Sequence, residues 1–155
     1  MDWVFSAFLA VSLAHMGEEY IYPGGFMDLM RRLNPRLAPQ VTVRFAVIIN
    51  GLQLLLCALA IAVGRSNLAF SLSVAGLLLI NGLIHIVAGI RVKGYVPGVI
   101  TGVVLYLPLS VYSYYHFWGS GQLTFREGIA SGLLGALYQA VPISYLALST
   151  VVRRG

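Results

Sequence analysis

The sequence predicts an all-α protein, a polytopic membrane helical bundle of about five transmembrane helices with a short interfacial helix after the first. Three observations carry this reading. The chain has 155 residues, of which 59% are hydrophobic and 10% charged, and its mean hydropathy is +0.85. A soluble domain has roughly a quarter of its residues charged, so this chain has too little polar surface to cover itself in water. Apolar runs also recur at close to the roughly 20 residues that cross a bilayer core. Lipid cannot satisfy open strand edges, so those runs are expected to be helical. The same composition excludes a disordered chain, a disulfide framework and a nucleic-acid binder. Cys57, the single cysteine, reads as a small buried hydrophobe.

A single integral membrane domain over residues 1–155 is expected. The first span covers about residues 3–22 and carries His15, Glu18 and Glu19 in its second half. Ser12-Leu13-Ala14 resembles a leader cleavage site, but Asp2 replaces the basic start and no Arg or Lys precedes Arg31, so a retained helix is expected. Pro23-Gly24-Gly25 ends it. Residues 26–33 place Phe26, Leu29 and Met30 apart from Asp28, Arg31 and Arg32, as in a short helix lying at an interface. The second span covers about 41–63, with Asn50 and Gln53, and Gly64-Arg65-Ser66-Asn67 reads as a tight turn. The third span covers about 68–90, with Asn81 and His85. The fourth covers about 95–115, with Pro97 placed in its first turn. The fifth covers about 125–152, with Pro142 as a kink or local unwinding.

Basic residues set the expected orientation. Arg31, Arg32, Arg36, Arg44, Arg91, Lys93, Arg153 and Arg154 fall on one side, against Arg65 and Arg126 on the other. The positive-inside rule puts the larger group in the cytoplasm, with the amino terminus outside and the carboxy terminus cytoplasmic, in a prokaryotic-type plasma membrane. Gly128, Gly132 and Gly135 line one region of the fifth helix. Such small residues serve either packing within the bundle or a homo-oligomer face. Tyr112, Tyr114, Tyr115, His116 and Trp118 read as an aromatic interface belt, and Glu127 as a first-turn carboxylate.

Depth is the informative feature. His15 and His85 each lie about six residues, or roughly 9 Å, from the cytoplasmic end of their helix. Thr101 enters the fourth helix from that same side, as do Asn50 and Gln53 in the second. Ser144, Tyr145 and Ser149 are candidates for the same layer from the fifth. His15 reaches Glu18 at i+3 and Glu19 at i+4, and Asn81 reaches His85 at i+4. Carboxylates near hydrocarbon must be paired, protonated, hydrated or metal-bound.

Three chemistries fit this set. In the first, His15, Glu19 and His85 ligate a divalent metal, zinc before iron or manganese, with Glu18, Glu19, Asn81 and Thr101 as catalytic or orienting groups. The enzyme would act on a membrane lipid or other hydrophobic small molecule, most simply by hydrolysis. In the second, Glu19 and His85 exchange protons with a lipid-soluble substrate without metal, as an isomerase or lipid-binding protein would. In the third, the polar network only fixes packing. The outer halves of the second and third spans offer little polarity, which argues against a continuous channel.

Three ordered motifs carry a resemblance. His15-Met16-Gly17-Glu18-Glu19 matches the name-giving motif of the HXXEE family of small multi-pass membrane proteins. Asn81-Gly82-Leu83-Ile84-His85 resembles that family's Asn-x-x-x-His motif, with Gly82 where alanine is usual. Tyr95-Val96-Pro97-Gly98 followed by Thr101 resembles its Tyr-x-Pro-Gly-x-x-Thr motif. The resemblance spans roughly residues 1 to 115, and the fifth helix matches no motif. The family has no established activity; its polar motifs suggest an enzymatic role. It implies an architecture and a candidate site of His15, Glu18, Glu19, Asn81, His85, Tyr95 and Thr101, not a reaction.

Overall fold

A computed structural model describes residues 3–21 and 25–152, with side chains described up to residue 148. The described residues are helical throughout, apart from turns and loops. Helix α1 is Trp3–Ile21, α2 is Gly25–Leu33, α3 is Val43–Val63 and α4 is Leu68–Val92. Helix α5 runs continuously over 99–119 and α6 is Phe125–Val152. Met1, Asp2, Pro23, Gly24, Arg153 and Arg154 lie outside the described residues, and so does the side chain of Ser149.

Helix ends follow ordinary capping chemistry. Thr42 accepts from Phe45 N at 3.2 Å and starts α3, and Asn67 accepts from Phe70 N at 3.0 Å and starts α4. Glu127 accepts from Thr124 N at 2.9 Å while Thr124 Oγ1 accepts from Glu127 N at 3.3 Å, a reciprocal box that starts α6. This gives the first-turn carboxylate a capping role.

Residues 43–92 form one apolar helical stretch broken only by the 3-10 turn Gly64–Asn67. The turn reverses the chain. Ser71 Oγ donates to Gly64 O at 2.8 Å and lies 3.4 Å from Ala60 O. An unbroken helix would hold residues 60 and 71 roughly 16 Å apart. The stretch is therefore the antiparallel pair α3–α4.

Stretches 43–92 and Phe125–Leu148 are long and apolar enough to cross a membrane. Only 17% of each most apolar window is buried, whereas the core helix of a soluble protein is mostly buried. Leu52 and Leu55 on α3 and Leu133 and Leu137 on α6 are all more than half exposed. Ser12, His15, Glu19, Ser71, His85, Ser110 and Ser131 are buried. These long helices thus turn large apolar side chains outward, while several polar groups are buried inside. Helix α1 carries His15, Glu18 and Glu19 in its last two turns.

The centre is packed by Phe5 and Phe8 of α1, Cys57 of α3, Leu72 and Leu78 of α4, and Tyr106 and Phe117 of α5. Cys57 is free and buried, as expected. Close backbone contact joins α4 to α6. A Cβ on Gly135 would stand 2.5 Å from Leu77 N and 2.6 Å from Gly76 C. That glycine is thus committed inside the bundle, whereas a Cβ on Gly132 would meet nothing within 4 Å. Gly82 similarly admits α5, with Gly102 O at 3.1 Å from the position of its Cβ.

Two local features depart from expectation. Pro97 lies before α5, not in its first turn. Val99 N donates to Val96 O at 3.1 Å, and Gly98 has φ 88° and ψ −10°. This is a type II turn, with proline at its second position and glycine at its third, where φ must be positive. Helix α5 also widens into a π segment at Gly102–Tyr106, in which Leu107 N donates to Gly102 O. Pro108 has no N–H to continue the α ladder, and one wide turn accommodates the lost donor. Pro142 lies inside a continuous α6.

Candidate metal centre

The end of α1, the end of α4 and the start of α5 meet at one end of the bundle. There His15, Glu19 and His85 come together, with residue exposures of only 2%, 6% and 3%. Glu19 Oε1 lies 3.5 Å from His15 Nε2 and 3.2 Å from His85 Nε2. One donor atom from each residue lies within 4.8 Å of the others, and among the described residues this is the group that could hold a metal ion. His15 Nε2 is buried and has no hydrogen-bond partner. Zinc–ligand bonds of about 2.0–2.2 Å place neighbouring tetrahedral donors roughly 3.3–3.6 Å apart. The two N···O separations are close to that edge and the third donor pair lies within 4.8 Å, so the three side chains could close on a small divalent ion.

The rings are held by packing. His15 stacks on Tyr106 at 4.3 Å between centroids and meets His85 edge-on at 4.8 Å. Phe26 of α2 approaches His85 at 6.1 Å. Gly98 closes the third side. A Cβ there would lie 2.6 Å from His85 Cε1 and 2.8 Å from His15 Cε1. The turn therefore needs glycine twice, for its positive φ and for the two rings.

Glu18 turns the other way. Its Oε1 accepts from Tyr95 Oη at 2.8 Å and Ile100 N at 3.1 Å. Its Oε2 accepts from Thr101 N at 2.7 Å and Thr101 Oγ1 at 2.6 Å. Ile100 and Thr101 are in the first turn of α5, whose N–H groups have no helical partner. Glu18 satisfies them across the bundle, and the helix dipole favours its charge there. Thr101 Oγ1 also lies 2.8 Å from His15 Nδ1.

The structure thus brings together His15, Glu18, Glu19, His85, Tyr95 and Thr101. Asn81 makes no hydrogen bond to them, and its Oδ1 is buried without a partner. Gln53 reaches the next layer, donating to Ser12 Oγ at 3.1 Å and Tyr106 Oη at 2.9 Å. Asn50 instead donates to Tyr20 Oη. Ser144 is exposed and Tyr145 stacks on Phe45, away from the cluster. Sequence reasoning missed Tyr106, which sits in an apolar run without a polar marker, and missed that Phe26 of the amphipathic segment 26–33 reaches His85. The available signal for Tyr106 was Pro108, which disturbs the helix beside it.

The aromatic end lies opposite. Trp3 meets Tyr112 at 5.5 Å, and Tyr112 stacks on His116 at 5.6 Å. Trp3 and Glu19 are separated by roughly 24 Å of helix rise. Tyr114 faces inward instead, 3.2 Å from Leu72 O and 3.0 Å from Ser131 Oγ.

Fold and site together define a helical protein with an apolar exterior and a buried His–Glu–His cluster at one end. Its motifs place it further. The chain belongs to the HXXEE family, described as protein of unknown function with HXXEE motif, which matches residues 6–113. No curated protein and no solved structure matches the chain. The matched region contains every residue of the cluster and leaves out α6.

Proposed function

We propose that the protein is a membrane-embedded, metal-dependent enzyme that acts on a lipid or other hydrophobic small molecule, by hydrolysis. The observation that carries this reading is the orphaned, buried His15 Nε2 facing Glu19 Oε1, with His85 Nε2 on the same oxygen. A buried polar atom without a partner is costly. A carboxylate and an imidazole lone pair facing each other require a proton or a cation between them.

Zinc suits this mixed nitrogen and oxygen set, and three protein ligands leave a fourth position open for water or substrate. When bound, such an ion lowers the pKa of its water to about 7 and polarises a substrate carbonyl or phosphoryl oxygen. Glu18 is saturated by donors, so Glu19 is the carboxylate left to accept the proton of the attacking water. The apolar exterior supports a bundle that crosses a membrane, read here as five spans. The eight-to-two distribution of Arg and Lys supports a cluster near the cytoplasmic face, with the amino terminus outside. A hydrophobic substrate could then reach the cluster from the bilayer.

Elemental analysis tests the metal. Wild type purified without chelators is expected to hold about one zinc per chain, and His15→Ala and His85→Ala to hold almost none. Equal, near-zero metal in all three removes the proposal. The 3.2 Å His85–Glu19 contact favours a second reading, a metal-free acid–base pair acting on an apolar substrate. That reading requires turnover that survives exhaustive chelation.

A further inference from the structure

The hydrogen atoms around Glu18 can be assigned by counting, and the count reaches His15. A carboxylate has about four lone-pair sites and donates only when protonated. Glu18 receives Tyr95 Oη and Ile100 N on Oε1, and Thr101 N and Thr101 Oγ1 on Oε2. With all four sites filled, no carboxyl proton has room, and Glu18 is an acceptor only. Thr101 has one hydroxyl proton. Its possible acceptors include Glu18 Oε2 at 2.6 Å and Gly98 O at 3.4 Å. The charged, nearer oxygen takes it. The Thr101 oxygen can then only accept from His15 Nδ1, 2.8 Å away. His15 therefore carries a proton on Nδ1, and whenever the ring is neutral its Nε2 turns a lone pair towards Glu19.

We infer that Glu18 and Thr101 form a positioning relay that fixes His15 as the Nδ1–H tautomer and so prepares Nε2 as a ligand for a divalent cation. The relay deepens the metal-centre reading and, for its consequence though not its existence, rests on it. It gives the two adjacent glutamates different work: Glu19 faces the ion and Glu18 sets the imidazole through a hydroxyl. It also joins the first and third motifs of this chain in one network. The histidine and first glutamate of one need the threonine of the other, and the tyrosine fills the remaining carboxylate site. Ligating histidines commonly donate their second nitrogen to a carboxylate or carbonyl, and losing that partner typically costs 10–100-fold in metal affinity. Here the carboxylate acts one atom further away, with its charge shared between a helix start and an imidazole.

The test is nitrogen NMR of histidine-labelled, metal-free protein in nanodiscs at mildly alkaline pH, followed by zinc titration calorimetry. Wild type should show His15 protonated on Nδ1. Thr101→Val should give a mixture of tautomers and a 10–100-fold weaker zinc affinity, and Thr101→Ser should restore both. Circular dichroism confirms that each variant is folded. If Thr101→Val does not fold, the wild-type tautomer and the Thr101→Ser protein still decide. A neutral wild-type His15 protonated on Nε2 alone, or a Thr101→Val tautomer identical to wild type, overturns the relay. An Nδ1–H tautomer in a protein that takes up no zinc supports the relay and overturns only the metal-centre proposal.

Discussion

Two adjacent carboxylates on α1 lead into two different regions. Glu18 reaches the start of α5 and meets donors on both oxygens. Glu19 is more deeply buried and meets two imidazoles, one with an orphaned nitrogen. The first region is complete in itself and joins two elements distant in sequence. The second is incomplete without a proton or cation. Glu18 ties α1 to the start of α5, whereas Glu19 and its two imidazoles form a group that could hold a metal ion. Consecutive helical residues point about 100° apart, so one motif serves both regions without their competing for the same space.

The comparison can be broken most sharply where both regions lean on one residue. Gly98→Ala must accept a positive φ and two rings closer than 3 Å. A left-handed alanine costs about 1–2 kcal/mol and overpacking about 1–3 kcal/mol. Thermal unfolding in detergent should therefore show a loss of about 2–5 kcal/mol, together with the loss of the metal proposed for the cluster. Glu18→Ala leaves the first N–H groups of α5 without their acceptor, and should cost about 1–3 kcal/mol by the same measurement.

Glu19→Gln separates the two regions. It removes the carboxylate charge and a proposed metal ligand while keeping the shape, so bound metal should fall to background in elemental analysis while circular dichroism still shows a folded helical protein. A large loss of stability without loss of metal would reverse the roles assigned to the two glutamates. The smallest effect is expected far from both. Gly132→Ala meets open space, and alanine is favoured over glycine in a helix by about 0.5–1 kcal/mol. It should raise the unfolding midpoint slightly and leave metal content unchanged, unless that face is a contact between copies of the chain, in which case cross-linking yield falls.

Much of the helical layout was legible in advance. The second and third spans and the fifth were placed within a few residues of α3, α4 and α6, because apolar runs bounded by Pro, Gly and Arg punctuate the chain. The fourth was placed about four residues early. Tyr95 and Val96 read as apolar helix, but the type II turn at Val96–Val99 delays the first helical hydrogen bonds. The layer containing His15, His85 and Thr101 was also legible, since depth along a helix is residue number multiplied by rise. Asn81 shares the i,i+4 face of His85 but makes no bond to the cluster, because a shared stripe on one helix does not determine which neighbour each turn meets.

The sequence by itself determined that this chain is helical, apolar outside, and endowed with a His–Glu motif at the same depth as a second histidine. Those properties depend on local periodicity and composition. Only the tertiary structure decided that Glu18 caps α5 while Glu19 joins the histidines, that Tyr106 stacks on His15, and that Gly98 closes against both rings. Those properties depend on how each helix is rotated about its axis against its neighbours. That rotation is set by close contacts such as Gly82 with Gly102 and Gly135 with Gly76, between residues far apart in the chain.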